Sequence, residues 1–301
     1  MSYSTLSIDW EDFGQLLGKY HFNKVTEPVN GAIERQTNIM LDMLDESGSK
    51  ATFFILGILA KYRPALVKQI AARGHEIAIH GQNHVAMFNL SRDEAKKDLQ
   101  ECIDIVTGIT GEKIHGYRAP FFSINASNLW LLEILAELDL TYDSSIFPIK
   151  MPRYGIEGFN GNDSLYLLPN GLQLVELPLT VASYAGKKWP VSGGGYIRLM
   201  PAYFVKKVFS DLEKKNQNSM IYMHPYEFDT EHLDVTANFP PGAPYSKLQV
   251  LALNLRWNVF RNSIRGKIKK LLNQHQFITC LQKATYVKEK GNSTELLGRQ
   301  K

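Results

Sequence analysis

Apolar and polar residues follow two different periods along the first 230 positions. Short, nearly continuous apolar runs at residues 6–9, 51–56, 76–80, 114–118, 141–143 and 220–224 predict buried strands. Between them, apolar residues recur at helical intervals over 32–47, 64–73, 91–107, 126–138 and 201–215, which predicts amphipathic helices. Ser91-Arg-Asp-Glu94 has the spacing of a capping box and should start the third of these helices. Residues 154–195 are glycine-rich and predict long loops with edge strands. Beyond a proline-rich linker at 240–244, Leu248, Leu251, Leu255, Val259, Ile264, Ile268, Leu271 and Leu272 recur at roughly helical spacing, so an amphipathic helix is expected there.

Strand and helix in alternation specify an α/β fold on a mainly parallel sheet or barrel. Chemistry in such folds gathers at the C-terminal ends of the strands. That rule directs attention to Asp9, His80, Arg118, Asp143 and His224, each at or just beyond a predicted strand end.

Composition narrows the choice. The chain has 301 residues, 44% hydrophobic and 21% charged, enough for a large core without covalent staples. Its two cysteines, Cys102 and Cys280, are far apart, which excludes a disulfide scaffold or a cysteine-based zinc site. No apolar run approaches the roughly 20 residues needed to span a bilayer. The first residues carry neither a basic nor an apolar leader segment, so a cytoplasmic protein is expected.

The net charge of +4 is unevenly spread: residues 235–288 contain no acid but nine basic residues, among them Arg256, Arg261, Lys267 and Lys283. Such a segment suits an anionic partner, such as a membrane surface, a phosphate-bearing lipid or an acidic polymer. It suits equally a tail that packs over the body and keeps its charges solvated.

Five short stretches could carry chemistry. His80-Gly-Gln-Asn-His84 places two imidazoles four residues apart, within reach of one metal, although such pairs are more often incidental. Asp9-Trp-Glu-Asp12 puts three acids at a strand end, where they need a cation, an arginine or solvent; a turn or helix cap is the plainer explanation. Arg118, followed by Ala119-Pro120-Phe121, can hold a carboxylate bidentately or form an ordinary ion pair. Asp143-Ser-Ser reads first as a turn, and His224 at the end of an apolar run as a strand cap. The two become notable if a carboxylate such as Asp143 tunes the imidazole.

The order of these five stretches resembles the polysaccharide deacetylase family, that is, the NodB-homology or carbohydrate esterase family 4 enzymes. The likeness extends over about residues 5–230 and is closest to the branch of bacterial exopolysaccharide gene clusters, whose first motif runs D-x-E-D. It implies a distorted (β/α) barrel of about seven parallel strands over residues 1–234, with a basic helical extension over 235–301 packing on or beside it. It also implies a metal-dependent N-deacetylase acting on an amino sugar of a surface polysaccharide or its precursor. In that scheme Asp9 is the base, Arg118 orients it, His224 is the acid and Asp143 tunes His224. Phe121 offers its backbone N–H to the oxyanion. His80 and His84 bind the metal with Glu11, for which Asp12 is the rival, and zinc is the cation such a set favours. The implied partner is an N-acetylated glycan and not a nucleic acid. The basic tail adds the expectation of peripheral contact with the inner membrane face or a lipid-linked substrate. Three readings stay beside this one: an amidohydrolase on a cyclic amide, one on an N-formyl sugar, and a glycan-binding protein without catalysis.

Overall fold

The computed structural model describes residues 3–23, 31–152, 154–184, 186–215, 217, 219–237, 239 and 242–296. The fold is α/β, as the alternation predicts. Strand β1 (Ser4–Trp10) is buried along its whole length and pairs in parallel with β10 (Ser219–Met223), β2 (Thr52–Ile55) and β11 (Phe277–Ile278). Strands β3 (Glu76–Ile79), β4 (Gly116–Tyr117), β5 (Tyr142–Asp143) and β7 (Gln173–Glu176) continue the sheet, every neighbour parallel. The run β10-β1-β2-β3-β4-β5-β7 thus has seven parallel strands, the number expected. Parallel strands with both faces covered read as apolar runs, which is why six of the seven, all but β7, were legible in the sequence.

The glycine-rich stretch supplies strands as well as loops, as expected, and among them β7 of the parallel run. Strand β6 (Ser164–Leu167) adds antiparallel to β7, while β8 (Val181–Tyr184) and β9 (Lys187–Pro190) form a separate hairpin.

Helices α2 (Ala32–Glu46), α4 (Pro64–Ala72), α5 (Arg92–Thr110) and α8 (Ala202–Lys214) match predicted ones within a few residues. The Ser91–Glu94 capping box is formed, and α5 runs on to Thr110, closed by Gly111 at φ 74°. Helix α6 (Leu131–Glu137) begins five residues later than predicted. Side chains claim the backbone there: Asn128 Oδ1 accepts from the Asn125 N–H, and Asn125 Oδ1 accepts from the Ser127 N–H. Such local bonds compete with helix formation. Helices α1 (Phe13–Phe22), α3 (Gly57–Tyr62) and α7 (Gly194–Ile197) were not predicted.

The basic C-terminal stretch is not one helix. It divides into α9 (Lys247–Asn258), α10 (Ile264–Leu272) and α11 (Cys280–Glu289), with Phe260 in the left-handed region (φ 55°) breaking the first two apart. In α10 the periodic residues Ile264, Ile268, Leu271 and Leu272 are buried as their spacing predicts. In α9 they are not: Leu248, Leu251 and Leu255 are exposed, and Val250, Leu253 and Trp257 face the protein instead. The same stretch also supplies β11 beside β1, and β12 (Ser293–Glu295) pairs with β6.

Some of its charges are turned inward. Lys267 Nζ donates to the carbonyls of Ile197 and Arg198, and Lys283 Nζ to the carbonyl of Tyr3. Part of the expected linker, Pro240 and Pro241, lies outside the described residues.

Candidate metal centre and acid–base site

The C-terminal strand ends bring together most of the residues singled out in the sequence. Asp9 lies one residue before the end of β1, and Glu11 one residue beyond it. His80 follows β3, Arg118 follows β4, and His224 follows β10.

Strand alternation sorts the first motif. Trp10 turns into the core, fully buried, with its indole N–H donating to Thr37 Oγ1 at 3.0 Å. Glu11 turns the other way, and its Oε1 lies 2.8 Å from Nε2 of both His80 and His84. Asp12 is not part of that cluster. It is the N-cap of α1, accepting from the Gln15 N–H at 3.0 Å, and burial raises its pKa. Of the two rivals, then, Glu11 stands with the histidines.

These three side chains, all buried, offer ligand atoms within 4.8 Å of one another. The chemistry of the set fits a cation. His80 Nδ1 lies 2.8 Å from the Arg118 carbonyl, an acceptor only, so that nitrogen carries a proton. Its Nε2 then faces Glu11 either as a second donor or as a lone pair for a metal. Glu11 Oε2 is buried without a partner, as is Nδ1 of His84. The Arg118 carbonyl is the kind of outer partner that fixes a ligating imidazole. Burial pushes the Glu11 carboxyl up, but the charge of His84 and the hydrogen bonds from both histidines hold it well below the usual carboxylate range.

The loop between the histidines is shaped by Gly81 at φ 79°. A Cβ there would meet Asp98 Oδ2 at 3.2 Å, and Asp98 is already accepting from the Gln82 N–H. Any residue with a side chain in place of Gly81 would be strained in this backbone.

Arg118 is fully buried and joins three parts of the sheet. Its Nη1 donates to Asp9 Oδ1 at 2.7 Å and to Ser7 Oγ, its Nε to the Ser144 carbonyl, and its Nη2 to Ser144 Oγ. Met220 Sδ of β10 also lies 3.0 Å from Nη2, so the sheet curls around this guanidinium. The Phe54 ring lies beneath it at 4.1 Å.

Asp143 was expected beside His224, and this is a correction. Its carboxylate accepts from Ser145 Oγ at 2.6 Å and from the Ser145 N–H, and it shares a hydrogen bond with buried Glu176. Burial and the neighbouring Asp143 charge raise Glu176 well above its usual range, so Glu176 holds the proton of the pair. Ser145 Oγ in turn accepts from the Ala119 N–H, and Ser144 binds Arg118. Asp143 therefore braces the turn that seats Arg118.

The carboxylate beside His224 is Glu227, which the sequence reading missed. Its Oε2 accepts from the His224 N–H at 2.8 Å and lies 3.3 Å from Nδ1. The signal was present: His224-Pro-Tyr-Glu227 has the i, i+3 spacing of a capping box. Burial lowers the His224 pKa, but the hydrogen bond and charge of Glu227, with smaller contributions from Glu11 and Asp9, raise it to about 9. The Tyr226 ring stacks on the imidazole at 5.0 Å.

Phe121 sits at φ 58°, ψ 16° and Phe122 at φ 52°, left-handed values that cost bulky residues about 1–3 kcal/mol each. The Phe121 ring meets His84 edge-on at 4.3 Å. A small opening lined by Glu11, Gln15, Leu16, Lys19, Leu56 and His84 leads to the cluster. A larger cavity of about 590 Å³ lies elsewhere, beside Tyr3, Asp163 and Lys283. It lacks the donor set, so the chemistry is assigned to the strand ends.

A curled parallel sheet with this donor set defines a class, and comparison with known proteins agrees. Residues 28–142 match the family model described as polysaccharide deacetylase, and residues 144–285 match a domain of unknown function, DUF3473. Over residues 28–142 the chain is thus similar to the polysaccharide deacetylase family.

Among curated relatives, a peptidoglycan deacetylase-like protein of Gibberella zeae is 32% identical over 149 residues, 48% of this chain and 38% of its own length. The peptidoglycan-N-acetylmuramic acid deacetylase of Bacillus subtilis is 34% identical over 89 residues, 30% of this chain and 19% of its own. The chain thus spans less than half the length of these relatives. A crystal structure of a Mycobacterium smegmatis protein assigned as a polysaccharide deacetylase shares the fold, with a TM-score of 0.63 at 19% identity, covering 100% of this chain and 95% of that one.

Proposed function

We propose that this protein is a metal-dependent N-deacetylase that acts on an N-acetylated amino sugar of a surface polysaccharide or its precursor. One observation carries the reading: Glu11, His80 and His84 converge at 2.8 Å while Asp9, held by Arg118, stands two residues away on the same strand end. Binding a sugar requires neither the convergence nor the buried ion pair. A divalent cation held by Glu11, His80 and His84, which we take to be zinc, would supply Lewis acidity to water and to the acyl oxygen.

The chain's own residues do the rest. Asp9, oriented by Arg118, takes the proton of the attacking water. The Phe121 N–H, fixed by its left-handed backbone, donates to the oxyanion. His224, protonated at neutral pH, gives its proton to the amine nitrogen as the C–N bond breaks. Acetate and a free amino sugar result.

The test is acetate release from N-acetylated chito-oligosaccharides by the zinc-loaded protein, beside a His80→Ala/His84→Ala variant. Turnover in the first and none in the second is expected. Equal turnover in both, or zinc content unchanged by the double substitution, overturns the reading.

We also propose that the protein meets an anionic membrane surface through α9. What supports this is the outer face of that helix, where Leu248, Leu251 and Leu255 are 78%, 55% and 60% exposed. At 100° per residue, Lys247 and Arg256 flank the stripe on either side. Co-sedimentation with phosphatidylglycerol vesicles, but not phosphatidylcholine vesicles, is expected. A Leu248→Ser/Leu251→Ser/Leu255→Ser variant should stay in solution, and co-sedimentation at the wild-type level would dismiss the proposal.

A further inference from the structure

The loop after β10 carries His224 and Glu227 in one tight turn, and two features hold that turn in place. The first is Gly194. A Cβ there would lie 2.3 Å from both oxygens of the Glu227 carboxylate, so the carboxylate packs directly over a bare Cα. Gly193 gives the same room to the Tyr222 ring, 2.4 Å from where its Cβ would be.

The second is Arg261, from the C-terminal stretch. It is 2% exposed, yet its guanidinium meets no carboxylate within ion-pair distance among the described residues. Its Nη1 donates instead to the carbonyls of Tyr226 (2.8 Å) and Asp229, and its Nη2 to that of Glu231. These carbonyls bracket Glu227 on both sides. Burying a guanidinium to cap backbone oxygens is costly, and its return is a fixed loop. Asp229 adds a tether to α2, its carboxylate binding Arg35 at 2.8 Å.

We propose that Glu227, seated over Gly194 and clamped by Arg261, is the positioning residue that orients His224 and keeps it protonated. The role of the stretch around Arg261 is accordingly to brace the acid. This deepens the deacetylase reading and rests on it for the word acid, but the placement of the carboxylate does not. The other groups that face His224 are Tyr226, Tyr222, and the carboxylates of Glu11 and Asp9 on β1. Because Asp9 is already paired with Arg118 and Glu11 with two histidines, Glu227 is the carboxylate left to serve His224.

The experiment is NMR titration of His224 in the full-length, zinc-loaded protein with ¹³C-labelled histidine, assigned by the spectrum of His224→Ala. Glu227→Gln should lower the His224 midpoint by at least one pH unit, a tenfold or greater loss of proton affinity. Gly194→Ala, which displaces the carboxylate without removing its charge, should shift it the same way. Arg261→Lys, retaining charge but losing the fork, should shift it by a smaller amount. A midpoint unchanged in Glu227→Gln overturns the assignment. A midpoint moved by Glu227→Gln but not by Arg261→Lys removes the clamp from it. If the midpoints move as expected while wild-type protein releases no acetate, the positioning role stands and the deacetylase reading falls.

Discussion

Arg118 and Asp9 form a buried charge pair whose worth is asymmetric. Together they are satisfied; apart, each is an uncompensated charge in the interior. Arg118→Met should therefore lower the unfolding free energy by about 3–5 kcal/mol in urea melts. The double variant Asp9→Asn/Arg118→Met should lose clearly less than the sum of the single losses. Additive losses would show that the pair does not act as a unit.

His224 gives a pH prediction at the same scale. Its folded pKa, about 9, lies above the ordinary 6.5, so the stability it contributes is fully present below about pH 6.5 and is lost as the pH rises through 9. The rate of acetate release should fall over the same upper range, since the acid then arrives unprotonated; a rate still climbing at pH 10 contradicts this. The residues that carry these predictions were legible because strand ends announce themselves as a polar residue closing an apolar run. Glu227 was not, since a carboxylate three residues past a histidine signals a cap as readily as a proton partner. Asp143 misled for the converse reason: a strand-end acid has several places to spend its charge, and here it spends it on Ser145 and Glu176.

At the scale of elements, α1 separates two neighbouring acids into different tasks. Asp12→Ala should cost about 0.5–2 kcal/mol through loss of the N-cap while zinc binding remains near one equivalent. Glu11→Ala should lose the metal. Zinc lost from Asp12→Ala and kept by Glu11→Ala would reverse the assignment made here. Helix α1 itself escaped the sequence reading because Gly14 and Gly18 weaken its propensity and the acid cluster before it resembles a turn. Helix α9 was misread in phase. Apolar residues occupy both of its faces, so spacing alone could not say that Val250, Leu253 and Trp257 face inward and Leu248, Leu251 and Leu255 outward. The long, one-sided helices α2, α5 and α8 posed no such ambiguity.

For the molecule as a whole, the stretch after Asn258 supplies α10, β11 and α11, and with them Arg261. A chain ending at Asn258 should lose cooperative unfolding; an unchanged urea midpoint would mark the stretch as peripheral.

The placement of β1 has a consequence for how the chain is made. This strand leaves the ribosome before every strand it pairs with, yet its Ser4 hydroxyl waits for that of Ser219, 215 residues later, and its backbone for Phe277. Until then β2 can cover one side of the strand, but the edge that β10 fills stays open. Pairings so distant in sequence form slowly, and unpaired edges invite neighbours on the same polysome to fill them. The nascent chain thus carries an open strand edge until β10 is made, and its yield in a cell should depend on chaperone supply more steeply than its stability once folded.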